Sequence, residues 1–321
     1  MADVDGSPLV SVVLPTYGRP ELLTDAVESV LAQTYAPIEL LVVDDCSPEP
    51  VEPVVTSSDA EAGADDGRSI RVIRHEDNRG ASAARNTGIE NAAGTFVAFI
   101  DDDDVWAPTK IERQLAAFEG APGVGLVCTG MRYLVDGEPA HVLRPEIEGD
   151  PTRRLLLGEP FGTFSTQMVR ASVVESAGLL DERFPCWQDR EWPIRLSRHC
   201  DVATVPEPLV DHRTTGHEQI TDDFETKRDV AFPLMVETFR PVAAEYGRRT
   251  ARKFVATWAE EVAVSGLKSA DYGDARRFAL RAIRTYPVSA TAYLYLGLAL
   301  GGRPVFETAR RAKRTATSLR Q

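Results

Sequence analysis

The chain has 321 residues, 43% of them hydrophobic, and a formal net charge of −13. That length can bury one large core or two ordinary ones, and no nucleic-acid partner is expected. Five lysines stand against 31 arginines, and many carboxylates beside few lysines suggest a surface suited to high salt. Cys46, Cys128, Cys186 and Cys200 have no metal-like spacing. The N-terminus lacks a charged stretch followed by an apolar one, and the apolar run near 292–300 is too short to span a bilayer. A soluble cytoplasmic protein is therefore expected. Charge is also uneven: residues 245–321 hold 15 Lys and Arg against 6 Asp and Glu, so that tail is +9 and the rest −22.

The run from Leu9 to Leu14 predicts a buried strand ended by Pro15. Pro20 then opens a helix in which Leu22, Leu23, Ala26, Val27, Val30 and Leu31 recur at helical spacing. Ile38 to Val43 predicts a second strand, ending in Asp44 and Asp45. Residues 48–67, rich in Pro, Ser, Asp and Gly, read as loop with a short helix. Ser69 to Arg74 predicts a third strand, and Gly80 to Ala93 a helix of small residues able to pack close to a sheet. Thr95 to Ile100 predicts a fourth strand. Alternating β and α elements with apolar strands indicate a mostly parallel sheet covered by helices.

Beyond Pro108 a helix through Phe118 leads to a strand over Val124 to Met131. Residues 133–160 are less regular, with room for a hairpin and a short helix. Thr163 to Val169 predicts a strand, Ala171 to Ala177 and Trp187 to Arg198 helices, and Val202 to Val205 a short last strand. His212 and His217 then fall in a loop. From about Asp222 the pattern is helical. Ala270 to Pro287 and the helix after it resemble one tetratricopeptide-type helix pair.

Asp101, Asp102, Asp103 and Asp104 sit directly behind the fourth strand. Ligands of open α/β sheets bind at that carboxyl edge. Several carboxylates in one turn repel each other unless a cation or a ligand's donors compensate them. A hard divalent ion, Mg²⁺ or Mn²⁺, carrying a phosphate group is the usual compensator; a solvated acidic loop is the plainer reading. At the same edge, Pro15, Thr16 and Tyr17 offer backbone groups and a ring to a nucleobase, although Tyr17 would serve equally in ordinary packing. Arg19 could reach a phosphate or stay solvated. Asp44 and Asp45 could accept hydrogen bonds from a base or ribose. Arg79 and Arg85 could neutralise a diphosphate or make surface salt bridges. Asn86 could bond backbone near the site or sit on the helix surface. Trp106 reads as packing.

These segments, "VSVVLPTYGRPELLTDAVESVLAQTY", "IELLVVDDCS", "NRGASAARNTGI", "GTFVAFIDDDDVW" and "DERFPCWQDREW", resemble family 2 glycosyltransferases of the GT-A fold over about residues 8–215. The resemblance implies a Rossmann-like α/β domain over 8–221, with a basic helical extension over 222–321. It points to Asp45 for the base, Asp101 or Asp102 for the ribose, and Asp103 as the ligand of Mg²⁺ or Mn²⁺, the register within the run being open by one residue. It also brings His212 or His217 near the diphosphate or metal. Asp189 corresponds to the base that deprotonates an acceptor hydroxyl, with Gln188 where Glu is common; the helix N-terminus alone would also favour an Asp there.

The implied reaction is inverting transfer from a nucleoside-diphosphate sugar to a hydroxyl of a glycan or lipid-linked saccharide. The basic tail would contact the inner face of the membrane peripherally. A catalytically inactive nucleotide-sugar-binding scaffold is the rival reading. A nucleotidyltransferase would want a glycine- and lysine-rich phosphate loop, which Pro15 to Pro20 does not offer.

Overall fold

The structure is a computed structural model that describes residues 6–55, 67–147, 151–214 and 223–318. The chain divides into two compact units, Met1–Leu155 with Pro160–His217, and Leu156–Glu159 with Glu218–Gln321. Among the described residues, no helix is long and apolar enough to cross a membrane.

The first unit is built on a nine-stranded sheet. Its strands are β1 (Val10–Thr16), β2 (Ile38–Asp44), β3 (Arg68–Arg74), β4 (Phe96–Phe99) and β5 (Asp104–Trp106), then β6 (Val124–Val135), β7 (Glu138–Leu143), β8 (Gln167–Arg170) and β9 (Asp201–Arg213). The order is β3-β2-β1-β4-β8-β6-β9-β5, with β7 hairpinned on β6. Parallel pairing joins β3, β2, β1 and β4, and again β6 with β9. Antiparallel pairing of β8, β5 and β7 makes the other half mixed. The α/β, GT-A architecture stands, and its parallel character is concentrated in the N-terminal half.

Side chains alternate across the strands. Val10, Val12 and Leu14 share one buried cluster with Leu23, Val27 and Val30 of α1 (Pro20–Leu31) and with Ile111, Leu115 and Phe118 of a later helix. The opposite face takes α2 (Ala81–Glu90), whose small residues do bring it close. A Cβ built at Gly88 would lie 2.3 Å from Cγ1 of Val13. α3 (Lys110–Phe118), α4 (Ala171–Ala177) and α5 (Gln188–Leu196) complete the layers.

Four local departures from the sequence pattern have physical causes. Pro15 does not end β1 but pairs with Val43 inside it. Its missing N–H points to the β4 side, where β4 has already stopped at Phe99, so no ladder bond is lost. β9 runs to Arg213 rather than stopping near Val205. Pro206 and Pro208 hide it, and they fall where the β6–β9 register shifts around Gly130. Residues 164–166 form a 3₁₀ turn before β8. Asp104 opens a strand, β5, that three residues could not announce.

The second unit is helical among the described residues. α6 (Phe232–Glu245), α7 (Arg248–Lys268), α8 (Tyr272–Thr285) and α9 (Ala290–Ser318) follow in order. Asp271 caps α8 by accepting from the Asp274 N–H at 2.9 Å. Phe232 and Phe278 meet edge to face at 5.3 Å, and α9 bends at Gly302, where φ is +63°.

Candidate active site

Because β1, β2 and β4 run parallel, their carboxyl ends lie along one edge. Thr16, Asp44 and Asp45 therefore gather beside the Asp101–Asp104 turn. Thr16 Oγ1 donates to Asp102 Oδ2 at 2.8 Å, and Arg19 Nη1 lies 3.3 Å from Asp102 Oδ1 and 3.1 Å from Asp103 Oδ2. Burial first, and the neighbouring Asp103 charge second, push the Asp102 carboxyl up to about 6, against the lowering effect of Thr16 and Arg19. Tyr17 stands beside this cluster in sequence and is 50% exposed, so its ring is not core packing.

Asp102 and Asp103 share Arg19, while Asp101 and Asp104 have separate partners. Asp101 pairs with the buried Arg85 of α2, and its N–H donates to Ser165 Oγ at 3.0 Å. The Arg85 guanidinium lies over the Phe164 ring, 4.1 Å from the centroid. Asp104 is wholly buried and its Oδ1 meets His212 Nδ1 at 2.7 Å. This contact follows from the sheet, since Asp104 and His212 are register partners in β5 and β9. Burial works against the charged imidazole, but the Asp104 bond and charge outweigh it and raise His212 above its ordinary range, so holding a cation through this ring would require loss of a proton. His212 thus lies in a strand and not in a loop. His217 falls outside the described residues.

Asp103, Asp104 and His212 each offer a ligand atom, all within 4.8 Å of one another. Asp104 Oδ2 and Arg85 Nε are buried, and among the described residues neither has a hydrogen-bond partner. An orphaned carboxylate oxygen costs free energy unless something satisfies it. Two carboxylates and an imidazole are a donor set that accepts Mn²⁺ or Mg²⁺, and the bare Arg85 N–H suits an anion. The residues fit a divalent cation carrying a diphosphate.

Asp44 and Asp45 do different work. Asp44 pairs with Arg74 and accepts the Ser47 N–H at 2.8 Å. Asp45 accepts the N–H groups of Arg79 and Gly80 at 2.9 and 2.7 Å and contacts His75 Nδ1 at 2.7 Å. Those contacts fix the entry to α2 and leave one of the carboxylate's roughly four acceptor directions open. Arg79 contributes its backbone here.

Asp189 lies in the first turn of α5 and is half-buried. Burial raises its carboxyl above the ordinary value, while Arg190 and Arg85 pull it down and Asp101 pushes it up. The influence of Arg85 and Asp101 places Asp189 in the same field as the acidic turn. Tyr133 also feels Asp189 and Asp104, after the dominant effect of burial. Its ring meets His212 edge to face at 5.4 Å and stacks on His141 at 5.8 Å.

Asn86 bonds backbone rather than sitting on the helix surface, which decides between the two alternatives the sequence left open, while Trp187 and Lys110 escape the sequence pattern. Asn86 is buried: its Nδ2 donates to Leu180 O at 3.0 Å and Glu182 Oε1 at 2.9 Å, and its Oδ1 accepts the Leu180 N–H at 2.9 Å. The segment leading to Asp189 is thereby clamped to α2. Trp187, immediately before α5, has φ +64°, a conformation costly for a bulky residue and found most often where function requires it. Lys110 is wholly buried, donating to Gln114 Oε1 at 2.7 Å and lying 3.7 Å from the Trp106 ring centroid. The local string gives no sign of the Trp187 backbone twist, and it shows Lys110 a polar neighbour one helical turn on without showing that both are buried.

A twisted α/β sheet with acidic residues collected at its carboxyl edge, and a helical unit behind it in sequence, defines the GT-A class. Residues 11–178 match the pattern of glycosyl transferase family 2, and the chain belongs to that family. It is similar to the Escherichia coli UDP-Glc:alpha-D-GlcNAc-diphosphoundecaprenol beta-1,3-glucosyltransferase WfgD, 38% identical over 109 residues. That stretch is 34% of this chain and 40% of WfgD, well under two thirds of the relative's length. In fold it is similar to S. aureus TarS 1-349, solved with UDP-GlcNAc, with a TM-score of 0.65 at 16% identity over 94% of this chain and 92% of that one. The mannosyltransferase PcManGT from Pyrobaculum calidifontis, solved with GDP-Man and Mn²⁺, aligns with a TM-score of 0.56 at 16% identity over 96% and 87% of the two chains.

Proposed function

We propose that this chain is an inverting glycosyltransferase that moves a sugar from a nucleoside-diphosphate donor to a hydroxyl of a glycan or lipid-linked saccharide. The observation that carries the reading is the convergence of Thr16, Arg19, Arg85, the four aspartates and His212, with Asp104 Oδ2 and Arg85 Nε left unsatisfied. Pro15, Thr16 and Tyr17 border the base, Asp45 reaches it with its open acceptor direction, and Asp101 or Asp102 faces the ribose. Asp103, Asp104 and His212 would hold Mg²⁺ or Mn²⁺, which when bound offsets charge on the departing diphosphate. Arg85 and Arg19 add fixed positive charge on the same side.

Asp189 takes the proton from the acceptor hydroxyl as its oxygen bonds to the anomeric carbon. The bond to the diphosphate oxygen breaks, and the electron pair leaves with the nucleoside diphosphate. The raised Asp189 carboxyl makes it a better base than an exposed aspartate, because burial has already disfavoured its charge. A cytoplasmic chain resting peripherally on the inner membrane face belongs with this reading, since WfgD by its name acts on a diphosphoundecaprenol-linked sugar.

The test is release of nucleoside diphosphate from UDP-, GDP- and dTDP-sugars with saccharide and lipid-linked acceptors. One donor should turn over, and Asp189→Asn should lower kcat by about a thousandfold or more while the donor still binds. Full activity in Asp189→Asn would remove the base from the reading, and donor binding with no turnover for any acceptor would favour the scaffold.

A further inference from the structure

α9 carries no charged side chain from Ala290 to Gly302. One side of this stretch is spent on the helical unit's own packing, where Ala299 meets Leu267 and Ala275, with Tyr295, Leu298 and Phe306 around them. The outward side should be polar if water were its neighbour. It presents Tyr293, Leu294, Gly297 and Leu300, which share one helical face, and Leu294 and Leu300 are 59% and 65% exposed. Past the bend at Gly302 come Arg303, Arg310 and Arg311, all exposed. Glu307 is the one acid between 290 and 318, and it pairs with Arg303 at 2.6 Å.

An occupant of this face must accept both leucines and arginines. The first unit of a second copy supplies negative charge but little apolar surface: among its described residues, Tyr17 and Val135 are the exposed large hydrophobics. Two copies meeting strip to strip would bring like-charged arginine-rich helices together. A bilayer interface satisfies both halves, with leucine and tyrosine entering the acyl boundary and arginines meeting anionic headgroups.

We propose that the outer face of α9, Tyr293, Leu294 and Leu300 flanked by Arg303, Arg310 and Arg311, seats the chain on an anionic lipid bilayer. This rests on the peripheral-membrane part of the reading above and is independent of the donor site.

Sedimentation of the full chain with vesicles tests it, using phosphatidylcholine alone and phosphatidylcholine mixed with phosphatidylglycerol. The protein should partition to the mixed vesicles, less so as salt rises. Leu294→Glu/Leu300→Glu, both on exposed positions, should weaken partition about tenfold or more, and Arg310→Gln/Arg311→Gln should flatten its salt dependence. Nucleotide binding by these variants should equal that of the wild type, which separates this outcome from any failure of the donor site. No partition to mixed vesicles, equal partition of the leucine variant, or a concentration-dependent dimer that the leucine variant abolishes would each overturn the proposal.

Discussion

Replacing Asn86 by alanine should cost more stability than its place on a helix surface pattern suggests. Its side chain satisfies both the N–H and the C=O of Leu180, a residue only 4% exposed, and also reaches Glu182. Truncation leaves the two Leu180 backbone groups buried without those bonds, at about 1–3 kcal/mol each. Glu182 is exposed and turns to water at little cost. Allowing for partial relaxation, the loss should be about 2–4 kcal/mol, a large share of a typical domain's about 5–15 kcal/mol. Urea denaturation followed by near-UV circular dichroism reads this as a lower midpoint at unchanged slope. Because the clamp holds the segment before Asp189, turnover should fall with little change in donor affinity. A loss under about 0.5 kcal/mol, the range of an ordinary surface change, would refute the clamp.

Lys110→Met tests the buried amine. Burial holds the Lys110 ammonium pKa well below its ordinary value, so between its folded and unfolded values the unfolded chain binds the extra proton. Wild-type stability should then rise with pH across that window, by about 1.4 kcal/mol per unit, and the variant should lack this rise in melts at stepped pH. Gly88→Ala pushes a methyl to 2.3 Å from the Val13 side chain and should destabilise by about 1–3 kcal/mol in the same urea assay. An unchanged midpoint would mean that α2 moves freely off the sheet.

The hydrophobic strands, the small-residue helix and the acidic turn were legible because each is a local pattern. Six-residue, largely apolar runs ending in Asp44-Asp45 and Asp101–Asp104 are enough by themselves to place carboxylates at one sheet edge. His212 was legible as a residue but not as an element: Pro206 and Pro208 mark a bulge that the flanking strand survives by pairing with β6. The division of labour within the acidic turn was not legible. Asp101 goes to Arg85, Asp102 to Thr16 and Arg19, and Asp104 to His212, because helix α2 and strands β1 and β9 approach from three directions. Asp45 illustrates the same limit. Its carboxylate bonds the start of α2, beyond β3 in sequence, and only the turn geometry reveals that most of its capacity is already used.

The most direct test of the donor site is isothermal titration of UDP, GDP and dTDP with and without Mn²⁺, on wild type and Asp103→Asn. One nucleotide should bind tightly with Mn²⁺, and the metal-dependent part should be lost in the variant. Equal binding with and without Mn²⁺ in both proteins, or no binding of any nucleotide, would contradict it.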